Sequence, residues 1–334
     1  MRARYQGRFF TMNKRQTPLI LVKLAIAASI LYWIFHKVDA GRVWGTVRGA
    51  SVGPVLLGVL LCWLTILIAG WRWHRLLAIF EIQVSLPQLV LIAQIGQFFL
   101  MFLPGPAGDD LTRMLYISRF AKGRVGEACS SVLLDRCIGL ASILLFSVAC
   151  IPVQWNLLAA HPQTRWMATA MLLGGVSLAL FGTVFLALPA GVSVRFLELF
   201  IGWLPEGNLR RELGRMSCLI CTNKKSILLV VLVAIGTQLM LCTVYLLAGR
   251  AVGIHVSPLV WFSFLPVVLA ANAVPVTIAG VGVREYLLVL FLGSLADVPG
   301  ELALAASLIA FGMMLAICLL GGLVYVVYRP GIGK

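Results

Sequence analysis

The stretch Pro104-Gly105-Pro106-Ala107-Gly108-Asp109-Asp110-Leu111-Thr112-Arg113 places charges and helix-breaking residues where the surrounding sequence is apolar. A second stretch, Pro275-Val276-Thr277-Ile278-Ala279-Gly280-Val281-Gly282-Val283-Arg284-Glu285, has the same design. Each follows an apolar segment, begins with a proline, passes through glycines and reaches an arginine nine positions later. Interrupted, charged segments at matching positions of two halves of a membrane protein are typical of a transport site.

The composition is that of a polytopic membrane protein. Hydrophobic residues make up 61% of the chain and charged residues 12%, with a mean hydropathy of +0.99, which excludes an ordinary soluble domain. Apolar runs long enough to cross a bilayer occupy residues 19–35, 53–70, 128–153, 167–188, 227–248 and 302–328. We therefore predict an all-α membrane protein with about six full spans.

The formal net charge of +15 does not indicate a nucleic-acid partner, because basic residues mark the cytosolic loops of membrane proteins. Such residues also attract anionic lipid headgroups. The eight cysteines are scattered, and Cys218 and Cys221 form a C-x-x-C without a second pair. We expect no metal site and no cofactor.

Loop charges predict the topology. Basic residues at both termini and in the loop 189–226 place these parts in the cytosol. Trp71-Arg72-Trp73-His74-Arg75 is interpreted as the cytosolic boundary of the second span, and the loop after residue 103 is also basic. The segment 86–103 should then enter and leave from the cytosol, and the region 258–301 from outside. We predict two re-entrant, broken helical hairpins.

The two halves align when the first is shifted by 171 residues, the separation of Arg113 from Arg284. Since one full span lies between the halves, the second copy should be inverted in the membrane. The predicted organisation is a tail with the first span (1–52), repeat one (53–153), a linking span and loop (154–226), repeat two (227–328) and a C-terminal tail (329–334).

Ionisable and polar residues in or next to the broken segments form the candidate substrate-binding or translocation site. They are Asp110, Arg113, Asp135, Arg136, Asn272, Arg284 and Glu285. Two further acids are candidates for ion or proton coupling, Asp109 and Glu127. The predicted structural turns contain Pro104, Gly105, Gly108, Pro275, Gly280 and Gly282.

Energetics limits how these charges are arranged. An unpaired ionisable residue at the bilayer centre costs on the order of 3 kcal/mol on insertion scales, so these side chains must be paired, hydrated or near the interface. One interpretation is a hydrated cavity whose arginines bind a lipid phosphate through two hydrogen bonds, with carboxylates that prevent irreversible binding or recognise an amine. The other interpretation is structural ion pairing, and for Asp135 and Arg136 both remain open.

Three motifs in order resemble the lysylphosphatidylglycerol synthase transmembrane family. They are Leu103-Pro104-Gly105-x-x-Gly108-x-Asp110-x-x-Arg113, Ser131-Val132-x-x-Asp135-Arg136-x-x-Gly139-Leu140 and Pro275-x-x-x-x-Gly280-x-Gly282-x-Arg284-Glu285. The resemblance implies a lipid translocase, a flippase or scramblase that moves an anionic phospholipid or lipid-linked head group between leaflets. It also implies a multi-pass protein of the bacterial cytoplasmic (inner) membrane.

Two other functions remain as alternatives. One is a non-transporting regulatory subunit of a lipid-modifying membrane complex, and the other is an integral membrane transferase. We expect no enzymatic activity, because the four histidines are dispersed and the sequence has no evident nucleophile–base pair. The expected partners are membrane lipids, with a homodimer or a lipid-synthesis protein as further possibilities.

Overall fold

The computed structural model describes residues 40–101, 107–121, 123–189, 191–195, 208–274 and 281–327 of the chain. Within these ranges the regular structure is helical and contains no β-strand. The helices used below are α1 (Ala40–Arg48), α2 (Val52–Ile79), α3 (Leu86–Leu100), α4 (Ala107–Phe120), α5 (Val125–Cys150), α6 (Trp155–Ala160), α7 (Pro162–Ala187), α8 (Asn208–Thr222), α9 (Lys224–Ala251), α10 (Pro258–Ala273), α11 (Val283–Ala296) and α12 (Gly300–Val327).

Five helical segments in the described part of the chain are long and apolar enough to cross a membrane. They are Val52–Ile79, Val125–Ala160, Pro162–Ala187, Lys224–Ala251 and Gly300–Val327. The second of these joins α5 to α6 through a short 3-10 turn, Ile151–Gln154. The predicted all-α, multi-pass membrane fold is therefore confirmed. The first predicted span, 19–35, and the predicted tail 329–334 lie outside the described residues.

Two apolar helices, α3 and α10, are too short to span. They contain 15 and 16 residues, which gives lengths of about 22 and 24 Å against a hydrocarbon core of about 30 Å. Each is followed by a helix of 14 residues, α4 or α11, that packs against it. The result is two helical hairpins at the two interrupted stretches. Their re-entrant placement in the membrane stays a prediction.

Glycine is required near both hairpin turns. A Cβ added to Gly108 at the start of α4 would lie 2.1 Å from the carbonyl oxygen of Phe99, so only glycine lets the two helices approach this closely. Gly282, which precedes α11, has a φ of 91°, a conformation that glycine adopts without a steric cost. The other predicted turn residues lie outside the described residues: Pro104, Gly105, Pro275 and Gly280.

Helix packing interleaves the two halves. The long helices α2 and α9 lie side by side, α3 packs on α12, and α10 packs on α5. Large aromatic side chains fill the interior around α10 and α11, where the rings of Phe264 and Phe291 stack at 5.1 Å. A long helix, two short helices and another long helix thus follow one another twice along the chain, in α2–α5 and in α9–α12, with the long helix α7 between the two groups. The inversion of the second copy stays a prediction.

Candidate functional site

A buried ion pair joins α2 to α5. Arg72 donates from Nε to Asp135 Oδ1 at 2.6 Å and from Nη2 to Asp135 Oδ2 at 3.0 Å. The side chains are only 10% and 6% exposed. This planar, two-bond arrangement is the strongest that arginine and a carboxylate make. The helix continues past Arg72 to Ile79, and Arg72 faces inward, where Asp135 neutralises it. The cytosolic boundary predicted at residues 71–75 stays a prediction.

Arg113 of α4 extends this ion pair into a chain of charges. Its Nη1 donates to Asp135 Oδ2 at 3.2 Å, and its Nε donates to Asp109 Oδ1 at 2.8 Å, one helical turn earlier. The guanidinium also lies 5.5 Å from the ring centroid of Trp73, which is fully buried. Arg113 is therefore held from three sides, and its charge is compensated without a ligand.

A second ion pair, between Asp110 and Arg136, is more accessible. Arg136 Nε lies 3.2 Å from Asp110 Oδ2, and the two side chains are 32% and 22% exposed for arginine and aspartate. Arg136 Nη2 is nevertheless buried and has no hydrogen-bond partner among the described residues. Unsatisfied buried donors are rare, so this group indicates a place where water or a ligand binds.

In the second half, the charge of the arginine is neutralised by the residue next to it in the chain. Arg284 pairs with the neighbouring Glu285 and donates from Nε to Ser307 Oγ at 3.3 Å, and its guanidinium lies 4.8 Å from the ring centroid of Phe311. The other carboxylate oxygen of Glu285 accepts from the backbone N–H of Gly282 at 2.6 Å. Glu285 is 1% exposed and thus fixes both Arg284 and the N-terminus of α11.

A cavity of about 370 Å³ lies between the two halves and collects most of the predicted site. The lining residues named in the prediction are Asp109, Asp110, Arg113, Asp135, Arg136, Asn272 and Arg284. Glu285 does not line it and acts on it only through Arg284. Asn272 donates from Nδ2 to the Tyr245 hydroxyl at 3.5 Å, but its Oδ1 is buried and has no partner among the described residues. The cavity therefore offers both an unused donor, on Arg136, and an unused acceptor, on Asn272.

An adjoining cavity of about 140 Å³ is mainly apolar. Its walls include Leu315, Ile317 and Phe311, and it shares Leu100, Met314 and other side chains with the polar cavity. A polar space next to an apolar one is the arrangement that an amphiphile requires.

Glu127 lies apart from both cavities. Its side chain is 5% exposed and pairs with Arg124 and with Arg215 of α8, whose Nη1 lies 2.6 Å from Glu127 Oε1. This carboxylate thus attaches the amphipathic helix α8 to the start of α5.

Several cavity residues were missed by sequence reasoning. Arg72 looked like an ordinary positive boundary residue, and its partner Asp135 is 63 positions away. Gln97, Gln238 and Tyr245 also line the cavity, although Gln238 is held by a hydrogen bond from its Nε2 to Ser142 Oγ at 2.8 Å. A polar residue inside a span was the available signal for Arg72 and Gln238.

Comparison with family models identifies the family of the chain. The model of the family described as "Lysylphosphatidylglycerol synthase TM region" matches residues 20–322. The comparison with curated proteins found no match. The matched region includes both hairpins and every side chain named for the cavity.

Proposed function

The chain belongs to the lysylphosphatidylglycerol synthase TM region family, and on that premise we propose that it is a lipid translocase. It moves a lipid with an anionic, phosphate-bearing head group between leaflets. One observation supports the proposal. Arg136 and Asn272 line the cavity between the two halves, and each has a buried polar atom, Nη2 and Oδ1, without a hydrogen-bond partner among the described residues. Such groups are expected where a polar ligand binds transiently.

The residues of the cavity divide into a frame and a binding part. Arg72, Asp135 and Arg113 are buried and fully engaged with one another, so they hold α2, α4 and α5 at fixed distances. Arg136 and Asp110 are the more accessible charges, and Arg136 has an N–H to donate to a phosphate oxygen. We assign head-group binding to this pair and to Asn272, and a framing role to the other three.

The adjoining apolar cavity provides a place for the first carbons of a lipid chain. Its walls are shared with the polar cavity at Leu100, Met314 and Arg284, so a head group near the charged residues and the start of its chain lie in adjoining spaces. The polar cavity keeps the head group hydrated or hydrogen-bonded during its passage.

The two halves supply the movement. The matched order of helices in α2–α5 and α9–α12 supports a pair of inverted repeats that rock against each other, so that the cavity opens alternately to the two leaflets. Movement is passive, or it is coupled to protons or another ion through an acid that lines the cavity, Asp109 or Asp110. The proposed transport involves no covalent chemistry.

The multi-pass membrane location follows from the fold and the family. We place the protein in the bacterial cytoplasmic (inner) membrane, with both termini in the cytosol, because lysines and arginines flank the terminal spans. A homodimer or a lipid-synthesis partner is compatible with this arrangement.

Leaflet exchange in proteoliposomes tests the proposal. Vesicles that contain a trace of acyl-chain-labelled fluorescent phospholipid are treated with dithionite, which bleaches the outer leaflet alone. We expect bleaching to continue beyond the outer leaflet with wild-type protein and to stop there with Arg136→Gln plus Asn272→Leu.

The matched control is Arg250→Gln, which removes an arginine that contacts His255 away from the cavity. It should exchange lipid like the wild type. Wild-type bleaching no greater than in protein-free vesicles would contradict phospholipid translocation and favour a non-transporting regulatory subunit.

A further inference from the structure

We propose that the protein takes up one proton with each anionic lipid, and that the Asp109 carboxylate is the group that binds this proton. The proposal deepens the proposed function, on which it rests for the movement of the lipid. It makes the transport an electroneutral symport, in which the proton and the lipid cross in the same direction. Three features support it: the charge balance of the cavity, the position of Asp109 and the pairing of Arg113.

The charges of the protein balance around the cavity. Its lining contains four arginines and three aspartates: Arg72, Arg113, Arg136, Arg284, Asp109, Asp110 and Asp135. Glu285 adds the fourth negative charge, because it pairs with Arg284 from behind the wall. Among the described residues, the charges that act on the cavity therefore sum to zero.

An anionic head group adds one negative charge to this neutral site. An uncompensated charge in a partly buried site is unfavourable, so a cation that enters with the lipid restores the balance. A proton needs only one carboxylate, whereas a divalent cation such as Ca²⁺ needs about six oxygen ligands around one point. The described residues contain no group of three or more acidic, histidine or cysteine side chains arranged to hold a metal ion. The proton is the cation that the lining of this cavity suits.

Among the three acids of the lining, Asp109 is the one whose charge is easiest to remove. Asp135 accepts three hydrogen bonds from two arginines. Asp110 pairs with Arg136 and belongs to the head-group site. Asp109 accepts one arginine hydrogen bond, from Nε of Arg113 at 2.8 Å, and this partner lies on its own helix. Protonation of Asp109 therefore disturbs neither the contacts between helices nor the head-group site.

The Asp109 side chain is enclosed between α3 and α5 but still lines the cavity. It is 9% exposed, and its Oδ1 lies so close to Gly96 of α3 that a Cβ there would clash with it. Burial favours the uncharged form of a carboxyl group. No ionisable residue occurs in α3. The ionisable groups around Asp109 are Arg113 and Asp110 on α4, Asp135 and Arg136 on α5, Arg72 on α2 and Cys318 on α12.

Protonation of Asp109 gives the wall of the cavity one excess positive charge. Arg113 contacts Asp109 through Nε and Asp135 through Nη1. A neutral Asp109 leaves Arg113 with Asp135 alone, which already accepts two hydrogen bonds from Arg72. Two arginines then share one carboxylate. The excess charge attracts the lipid phosphate, and the bound phosphate favours the protonated carboxyl in return, because linked binding is reciprocal.

This linkage explains how the proton and the lipid move together. The cavity is neutral with neither of them or with both, whereas the proton alone or the lipid alone leaves an uncompensated charge in a buried site. The two neutral states are the ones in which the halves rock between the leaflets. On the far side the phosphate leaves, the proton dissociates from Asp109, and Arg113 again pairs with a charged carboxylate.

Proton uptake on lipid binding tests the proposal apart from transport. Short-chain phosphatidylglycerol is added to the detergent-purified full-length protein in a weakly buffered solution of neutral pH, and an indicator dye reports the protons taken up. We expect about one proton per bound lipid for the wild type and none for Asp109→Asn. Glu127→Gln is the matched control, because it changes a buried, ion-paired carboxylate that lies apart from both cavities, and it should take up protons like the wild type.

A pH gradient tests whether the proton drives the lipid. Phosphatidylcholine proteoliposomes with a trace of acyl-labelled phosphatidylglycerol are held at a gradient of one pH unit, and dithionite reports how the label is distributed between leaflets. The label should become about tenfold more concentrated in the leaflet that faces the alkaline side, because one tenfold gradient balances another. Collapse of the gradient with nigericin, or Asp109→Asn, should give equal leaflets. Protein-free vesicles supply the baseline.

The contradicting results are distinct from those for transport. Lipid binding without proton uptake in the wild type, or unchanged uptake in folded Asp109→Asn, overturns the proposal. Leaflet exchange that stays symmetric under the pH gradient, or that follows a sodium gradient instead, overturns the proposal and leaves translocation intact. Proton uptake on binding without any leaflet exchange overturns the translocase function and leaves the proton-linked binding in place. Size-exclusion profiles establish folding, and the wild-type measurements decide the question even when Asp109→Asn fails to fold.

Discussion

Arg72 and Asp135 form a two-bond ion pair, at 2.6 and 3.0 Å, between two helices that are both apolar enough to span a membrane. Asp135 also accepts from Arg113, so one carboxylate joins α2, α4 and α5. This relationship separates the charges that hold the cavity in shape from those that are free to meet a ligand.

Loss of the Asp135 charge should destabilise the protein strongly. Asp135→Asn leaves Arg72 buried without a full counter-ion, and we expect a loss of about 3–5 kcal/mol in the free energy of unfolding. Glu81→Gln, at an exposed pair of 3.6 Å with Arg124, should cost at most about 1 kcal/mol. Both variants are unfolded in detergent while tryptophan fluorescence is recorded, and their free energies of unfolding are compared with that of the wild type. Similar unfolding curves would contradict the framing role of Asp135.

The close approach of α3 and α4 should be intolerant of a single methyl group. Gly108→Ala places a Cβ 2.1 Å from the Phe99 carbonyl oxygen, so the hairpin must open and the protein should lose about 1–3 kcal/mol of stability. Gly139→Ala is the matched control, because nothing lies within 4 Å of the added Cβ. Thermal unfolding midpoints in detergent give the comparison, and an unaltered midpoint for Gly108→Ala would show that the hairpin is not packed as described.

The contact between Glu127 and Arg215 should control the attachment of α8. Glu127→Gln weakens a 2.6 Å ion pair at a buried carboxylate, and amide hydrogen exchange across residues 208–222 should accelerate, by about tenfold for a loss near 1.4 kcal/mol. Arg215→Gln should reproduce the effect. Unchanged exchange in both variants would mean that α8 is held by its apolar side chains alone.

Hydropathy and the positions of helix-breaking residues were enough to predict the spans and the two hairpins from the sequence. The long apolar runs became α2, α5, α7, α9 and α12, and the two interrupted segments became short helices that pack as hairpins. Both signals are local, because a span needs only its own apolar residues and a turn only its own glycines and prolines. Family membership, inferred from three motifs, was also confirmed.

The ion-pair partners of the charged residues could not be predicted from the sequence in the same way. Arg72 follows an apolar run beside two tryptophans, which is also the signature of a membrane boundary. Its burial depends on Asp135, 63 residues later, and nothing local encodes that pairing. The sequence also placed Arg284 and Glu285 together in the site, whereas Arg284 lines the cavity and Glu285 supports it from behind.

Filling the cavity without changing its charge tests the central claim most directly. Gly139 lines the cavity and has open space around its Cβ position, so Gly139→Phe projects a ring into the proposed lipid path. Gly236→Phe, at an exposed glycine of α9 that also has open space and does not line the cavity, is the matched control. Leaflet exchange of acyl-labelled phosphatidylglycerol in proteoliposomes is measured for both variants and the wild type. We predict that Gly139→Phe falls to the rate of protein-free vesicles while Gly236→Phe retains the wild-type rate. Equal exchange by all three proteins would contradict a lipid path through this cavity.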